Sequence, residues 1–286
     1  MIATTGFFDG VHSGHRLVIE KLVSVAHARG DESLVVTFWP HPRAVLQDGA
    51  RELRLLTTLE EKKALLTALG VERIEVLDFT REFASLTAER YLREVLRDRF
   101  GVSTLLMGYD NRIGSDRLTA GALESVAQSV GIALMEVEPF PTKVSSTVIR
   151  RALSLGNVEE AERMLGYGYS LQGVVVAGNH LGRTIGFPTA NMKLYEPLKL
   201  VPARGVYAVE VEVLGKTWRG MTNIGMRPTV GGTFTTIETN ILDFDEDIYG
   251  LPLRITFLRR IRDEVRFPSL EALKEQLGKD CEACRH

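Results

Sequence analysis

The segment GFFDGVHSGHR, Gly6 to Arg16, sets two imidazoles three residues apart around Gly14, where a short apolar run gives way to helix-forming sequence. A helix N-terminus offers unpaired N–H groups and positive potential, and His12 and His15 add side-chain donors. Glycines such as Gly6 and Gly14 let an anion approach the backbone. The combination suits triphosphate chemistry better than metal binding. SSTVIR, Ser145 to Arg150, brings the hydroxyls of Ser146 and Thr147 and the Arg150 guanidinium to another expected helix start, as directed phosphate donors or as a simple N-cap. In the second half, PTAN carries Thr189 and Asn191, hard oxygen donors of the kind magnesium takes, or else a turn entering a strand. Glu238 shares a strand face with Thr236 and Asn240, and spacing alone assigns it no role. GKT at Gly215–Thr217 is not a P-loop, because Glu210 stands where the first glycine is needed and the surrounding pattern is a hairpin. The tail CEACRH offers Cys281, Cys284 and His286, three ligands where structural zinc wants four, and is expected to be frayed.

The elements that must position these residues fall into two rhythms. Up to about residue 140, strand-like runs at Ile2–Thr5, Leu34–Phe38, Ile74–Leu77, Thr104–Met107 and Ile132–Val137 alternate with amphipathic stretches. Val18, Leu22 and Val25 share a helical face. Thr57 and Glu60 have capping-box spacing before EEKKALLTAL, which stops at Gly70, and Gly101 and Gly131 end the next two helices. Such alternation predicts a doubly wound parallel sheet, with ligands at the carboxyl ends of the strands. Residues 145–166 read as helical with a break at Gly156 and Asn157, a connector. Beyond Gly168, alternation at Leu171–Val176, Val206–Val213, Thr235–Ile241 and Leu253–Phe257, with a turn at Leu214–Lys216, predicts a small antiparallel β-barrel closed by a helix in SLEALKEQL. The expected organisation is α/β: a parallel-sheet domain over 1–155, a connecting helix or linker over 156–168, and a barrel domain over 169–286.

GFFDGVHSGH resembles the HxGH signature of nucleotidyltransferases, and in its longer form the adenylyltransferase half of prokaryotic bifunctional riboflavin kinase/FAD synthetases. TFWPHP (Thr37–Pro42), GYDNRIG (Gly108–Gly114) and SSTVIR continue the resemblance in order. It implies that His12 and His15 steady the ATP phosphates while the FMN phosphate attacks the α-phosphorus, releasing pyrophosphate with no covalent enzyme intermediate. By the same likeness Gly6, Asp9, Gly14 and Asp110 complete the nucleotide site, and Ser146, Thr147 and Arg150 form a second phosphate grip. The chain departs from the usual family wording at Asn111 and Ile113, where aromatic residues are common, which bears on packing around the nucleotide or flavin. His41, between prolines, is either structural or substrate-lining. GNHLGRTIGFPTANM (Gly178–Met192) is similar to the riboflavin kinase signature. It implies a phosphate cover at Gly178, Gly182, Arg183 and Gly186 and a magnesium site at Thr189 and Asn191. NIGMRPT (Asn223–Thr229) and ETNILDFDEDIYG (Glu238–Gly250) follow. Through them the resemblance makes Glu238 the base that deprotonates the ribityl 5'-hydroxyl, and Asn223, Arg227 and Arg262 flavin contacts. Asn240 stands where histidine is commoner. Of the tail-side arginines 259, 260, 262 and 266, most are expected to be a solvated basic face.

Composition supports an ordinary folded chain. The 286 residues are 44% hydrophobic and 25% charged, and 35 Lys and Arg against 37 Asp and Glu leave a formal charge of -2. That balance provides no general field for nucleic acid or an anionic membrane. Only two cysteines occur, which fits a reducing, cytoplasmic compartment, and no signal-peptide or membrane-spanning pattern is found. The expected activity is ATP-dependent phosphorylation of riboflavin to FMN and adenylylation of FMN to FAD, with magnesium. ADP and pyrophosphate leave as products, and neither nucleic acid nor membrane is a partner. One rival keeps the fold with only riboflavin kinase active, and a catalytically idle flavin or nucleotide sensor is the rival from another class.

Overall fold

The computed structural model describes every residue except 47–52, 109–112, 139, 141–143, 179–180, 230–231 and 286, and only the backbone at 181, 183, 227–229 and 232–233. The chain folds as two compact units, Met1–Ser146 and Thr147–His286.

The first unit runs β1 (Ile2–Thr5), α1 (Ser13–Arg29), β2 (Ser33–Trp39), α2 (Pro42–Leu46), α3 (Leu59–Ala68), β3 (Arg73–Asp78), α4 (Arg81–Ala84), α5 (Ala88–Arg90) continued as a π-helical stretch Tyr91–Arg99, β4 (Thr104–Gly108), α6 (Ala120–Ser129) and β5 (Ala133–Val137). The five strands form one parallel sheet in the order β3-β2-β1-β4-β5. All five expected strands are present. β1, fully buried, lies between β2 and β4, so the crevice where the winding reverses opens at its carboxyl end, directly before Gly6. Apolar clusters cover both faces of this sheet. The core stripe of α1 is Ile19, Leu22 and Ala26, one residue along from the expected face, with Val18 and Val25 half-buried beside it. The capping box of α3 is Thr58 with Glu61 rather than Thr57 with Glu60: Thr58 Oγ1 accepts from Glu61 N at 3.1 Å and Glu61 Oε2 from Thr58 N at 2.8 Å. Thr57 is engaged elsewhere, as described below.

The second unit opens with α7 (Ser146–Ser154), whose first residue still belongs to the first unit, and α8 (Val158–Leu165), separated by Gly156 at φ 83°. A side chain at Gly156 would meet Arg260 and the Tyr207 hydroxyl within 2.9 Å, and Ala203 N donates to the Leu153 carbonyl at 2.9 Å. These helices, read from the sequence as a connector, therefore pack within the second unit. Next come β6 (Ser170–Val176), α9 (Leu181–Thr184), β7 (Ala190–Leu194), β8 (Gly205–Val213), β9 (Lys216–Thr229), β10 (Gly232–Ile241), β11 (Pro252–Arg262) and α10 (Leu270–Arg285). The strands close an antiparallel barrel in the order β10-β7-β6-β11-β8-β9. Val209, Val211 and Val213 point inward, as their alternation with glutamates requires. α10 extends through the tail expected to be frayed. Cys284 is buried beside Val206, Ala208 and Met221, so apolar burial holds the last turn in place. Cys281 and Cys284 are not disulfide-bonded, and His286 lies outside the described residues.

Candidate active sites

The turn between β1 and α1 is an unusual piece of backbone. Phe8 and Val11 sit at φ 52° and 37°, in the left-handed region, where a β-branched or bulky residue is strained by roughly 1–3 kcal/mol. Something must hold it, and the holders are identifiable. Asp9, 4% exposed, accepts from Leu56 N at 3.0 and 3.1 Å, from Thr57 N at 3.1 Å and from Thr57 Oγ1 at 3.3 Å. Thr57 Oγ1 in turn accepts from Gly10 N at 3.1 Å. The Asp9 carbonyl accepts from Ser146 Oγ at 3.0 Å, and the Phe7 carbonyl accepts from Thr37 Oγ1 at 3.2 Å and Lys62 Nζ at 2.8 Å. Both the carboxylate and the carbonyl of Asp9 are thus engaged inside the unit. Asp9 therefore braces the turn from within.

What the turn presents is a pair of imidazoles. His12 caps α1, its Nδ1 accepting from His15 N at 3.4 Å, and the rings stack with centroids 3.6 Å apart at 17°. Phe8 meets His15 edge-on at 5.3 Å. The first turn of α1 carries no acidic residue, so its positive end is uncompensated by the helix itself. His15 Nδ1 is buried without a hydrogen-bond partner among the described residues. Burial above all, then the neighbouring His12 and Lys62, holds the His15 imidazole well below the ordinary histidine range, so it stands neutral near pH 7. Gly14 lies under the His12 ring, 3.4 Å from where a Cβ would stand, and a Cβ at Gly6 would fall 2.9 Å from the Phe8 ring.

Gly6, Asp9, His12, Gly14, His15 and Ser146 are therefore brought together in the first unit. Thr147, exposed, and Arg150, half-buried, lie on α7 in the second. Asp110 and Asn111 lie outside the described residues, and Ile113 is a core residue, 5% exposed. His41 Nδ1 accepts from Arg43 N at 3.0 Å, and its ring lies 4.2 Å from that of Phe7.

The barrel assembles a second group. Across the antiparallel ladders Glu238 stands opposite Asn191 on β7 and Asn223 on β9, and directly opposed side chains have Cβ atoms about 4.5–5.5 Å apart. These three, with Thr189, Gly182, Asn240 and Arg262, line a cavity of about 370 Å³ whose remaining wall includes Val206, Met221, Phe267, Leu273 and Leu277. A second cavity of about 350 Å³, edged by Phe244 and the acidic run Asp245–Asp247, shares Thr189 and Asn191 with the first. Those two residues stand as a partition between the two cavities. Gly178 and Gly182 have no room for a side chain: a Cβ would stand 2.2 Å from Asn191 Nδ2 and 2.2 Å from the Phe187 carbonyl. Both glycines are thereby seated against the Phe187–Asn191 segment. Gly186 sits at φ 85°, and the side chains of Arg183 and Arg227 lie outside the described residues.

Asn240, the departure noted above, is buried. Its Nδ2 donates to the Pro188 carbonyl at 2.7 Å while Cys281 Sγ donates to its Oδ1 at 3.7 Å, so it joins PTAN to α10. The Arg262 guanidinium is gripped by Asp280 at 2.7 Å, with Gln276 Nε2 donating to the same carboxylate at 2.9 Å. Arg259 donates to the Ala283 carbonyl, and Arg260 pairs with Asp263 at 2.7 Å. Arg259 and Arg260 therefore tie structure together rather than forming a solvated face. Asp280 and Lys62 were missed from the sequence. Each occupies the apolar stripe of its helix, Asp280 one turn before Cys284 and Lys62 one turn before Leu66, and a charge in such a stripe is the signal that reveals them. Among the described residues no three His, Cys, Asp or Glu side chains cluster to hold a metal.

The chain thus carries a histidine turn at the switch point of a parallel sheet in one unit and a carboxylate facing two amides in a closed barrel in the other, and the families it matches are those of transferases. The chain belongs to the family of bifunctional riboflavin kinase/FMN adenylyltransferases. The family described as FAD synthetase matches residues 1–150 and the one described as riboflavin kinase matches 165–286. The chain is 38% identical to the Bifunctional riboflavin kinase/FMN adenylyltransferase of Escherichia coli strain K12, covering 98% of this chain and 90% of that one. It is 36% identical to the protein of the same description from Bacillus subtilis strain 168, again over 98% and 90%. A solved structure from Streptococcus pneumoniae described as a macrolide-efflux protein matches with a TM-score of 0.93 at 36% identity, over 100% of this chain and 93% of that one. Efflux is that protein's description. Among the described residues here no helix is long and apolar enough to cross a membrane.

Proposed function

We propose that the family's two activities are divided between the units, riboflavin phosphorylation at Glu238 in the barrel and FMN adenylylation at the His12–His15 turn. The observation that carries the barrel assignment is the register that sets Glu238 against Asn191 and Asn223 on the wall of a cavity with one apolar side. The flat flavin ring takes that apolar side, between Met221, Phe267 and Leu277, and Asn223 and Arg262 supply its polar contacts. Glu238 accepts the proton of the ribityl 5'-hydroxyl, and the alkoxide so generated attacks the terminal phosphate of ATP. The nucleotide lies across the partition, under the Gly178–Gly186 loop with its Arg183. The oxygens of Thr189 and Asn191, hard donors exposed to both cavities, fit a magnesium ion, which would neutralise charge on the phosphates. Arg227 is assigned to the flavin by family resemblance alone.

At the N-terminal turn, His12, His15 and the start of α1 receive the ATP phosphates. No base is needed, because the nucleophile is already an anionic phosphate. A neutral His15 donates an N–H to oxygens whose charge grows as the α-phosphorus is attacked, and the exposed positive end of α1 acts in the same direction. Ser146 anchors the turn. Thr147 and Arg150 are assigned as phosphate ligands by resemblance, as is Asp110. Two thiols without a disulfide fit a reducing cytoplasmic setting. The test is direct: riboflavin, ATP and magnesium are incubated with the protein and the flavins separated over time. FMN is expected first and FAD later, and riboflavin bound but unchanged would establish the idle sensor instead.

A further inference from the structure

The adenylylation reading leaves one buried charge unused. Lys62 is fully buried in α3, and the one acid whose charge acts on it, Asp9, directs its oxygens at Leu56 and Thr57. Its Nζ donates to the Phe7 carbonyl at 2.8 Å and to Thr37 Oγ1 at 3.1 Å, and lies 3.8 Å from the centre of the Phe7 ring. A buried ammonium held by one carbonyl, one hydroxyl and one aromatic face is poorly compensated, and proteins rarely tolerate that without a use. Here the Phe7 carbonyl is the first residue's grip on the strained Phe8–Val11 turn, and the imidazoles stand on that turn.

We propose that Lys62 is a positioning residue for adenylylation. It pins the histidine turn from below and supplies a buried positive charge that the incoming triphosphate completes. This rests on the assignment of the turn to ATP. The groups facing Lys62 agree with it. From the turn, Asp9 is the acid that favours its charged form, though the Asp9 oxygens are directed at Leu56 and Thr57. From α1, His15 feels its charge as a repulsion, with His12 stacked behind, and His41 lies beyond Phe7. Burial brings the Lys62 ammonium down to about 8, so its charge is within reach of an ordinary pH titration, and an anion bound above it pulls the value back up.

The experiment compares the wild-type chain with Lys62→Met, measuring adenylylation of supplied FMN over pH 6–10 and riboflavin phosphorylation in the same preparations. In the wild type, kcat/KM for ATP in adenylylation should fall on an alkaline limb governed by the free-enzyme group titrating near about 8. In Lys62→Met that limb should vanish and kcat/KM should be about 100-fold lower, mostly through a raised KM for ATP, with phosphorylation unchanged. A variant that keeps the wild-type KM and the alkaline limb overturns the proposal. If Lys62→Met fails to fold, the wild-type profile decides alone, since adenylylation without an alkaline limb also overturns it. A wild type that makes no FAD at any pH refutes the assignment of the turn itself, a distinguishable failure.

Discussion

Asp9 tests whether the histidine turn is held by hydrogen-bond geometry or by charge. Asp9→Ala strips the acceptor from the N–H groups of Leu56 and Thr57, 0% and 2% exposed, which water cannot reach. Each orphaned donor costs about 1–3 kcal/mol, so about 2–6 kcal/mol in all, a large part of the 5–15 kcal/mol typical of a folded domain. Asp9→Asn should be far milder, because both N–H groups already converge on Oδ1, at 3.0 and 3.1 Å, and an amide oxygen in that place retains them. Its cost is the lost charge assistance, about 1 kcal/mol. The two variants should therefore separate by several degrees in melting temperature, at roughly 2–4 °C per kcal/mol. Asp9→Asn should also remove the charge that supports the Lys62 ammonium, moving the alkaline limb of adenylylation below the wild-type value of about 8. Thermal unfolding followed by circular dichroism and the pH profile of FAD formation measure both effects. A loss under about 1 kcal/mol for Asp9→Ala would refute the anchoring argument. Equal losses for both variants would assign the turn to electrostatics instead.

Three further outcomes are expected. Glu238→Gln keeps shape but removes the base, so FMN formation should fall by about 10² to 10⁴ while adenylylation of supplied FMN survives; near-normal FMN production by a folded protein removes Glu238 from the chemistry. Asp280→Ala leaves the largely buried Arg262 unpaired and should destabilise the barrel unit by about 3–5 kcal/mol and weaken riboflavin binding, read by calorimetry and flavin fluorescence quenching. A fragment Thr147–His286 should fold and make FMN alone, and one begun at Gly168 should melt lower, having lost the contacts that Leu153 and Gly156 make with Ala203, Tyr207 and Arg260. Equal melting of the two fragments would show that α7 and α8 add nothing to the barrel.

Much of this architecture was legible because it is local. Alternation such as Val209, Val211 and Val213 against Glu210 and Glu212 is a direct image of a strand with one buried face, and the strand runs of the first unit announce a parallel sheet for the same reason. The failures share a cause as well. Thr57 and Thr58 are equally good caps by spacing, and only the distant Asp9 decides between them, by taking Thr57 for itself. The tail reads as polar and terminal, yet Cys284 finds an apolar wall made of β8 and β9 residues that no local pattern reveals. Asp9 lies inside the most conspicuous motif of the chain, and no local pattern shows that its carboxylate braces the turn through Leu56 and Thr57. Its direction depends on the left-handed turn of Phe8 and Val11, which residue types do not encode. The barrel group was better served, since period-two geometry puts Glu238 and Asn240 on one face and the ladder then delivers Asn191 and Asn223 to the same cavity.

The hydrogen bond from Ser146 to the Asp9 carbonyl spans 137 residues, and β1 cannot be flanked on both sides until β4 exists. A chain emerging from the ribosome at about 5–20 residues per second exposes Asp9 roughly 7 to 27 seconds before Ser146 arrives to close over it. The buried position of Lys62 must also be assembled within that interval, from a turn whose backbone is intrinsically unfavourable. The first part of this chain to be synthesised is thus among the last of its unit to be completed. On the growing polypeptide, completion of the histidine turn waits for translation past Ser146 rather than for synthesis of the motif itself.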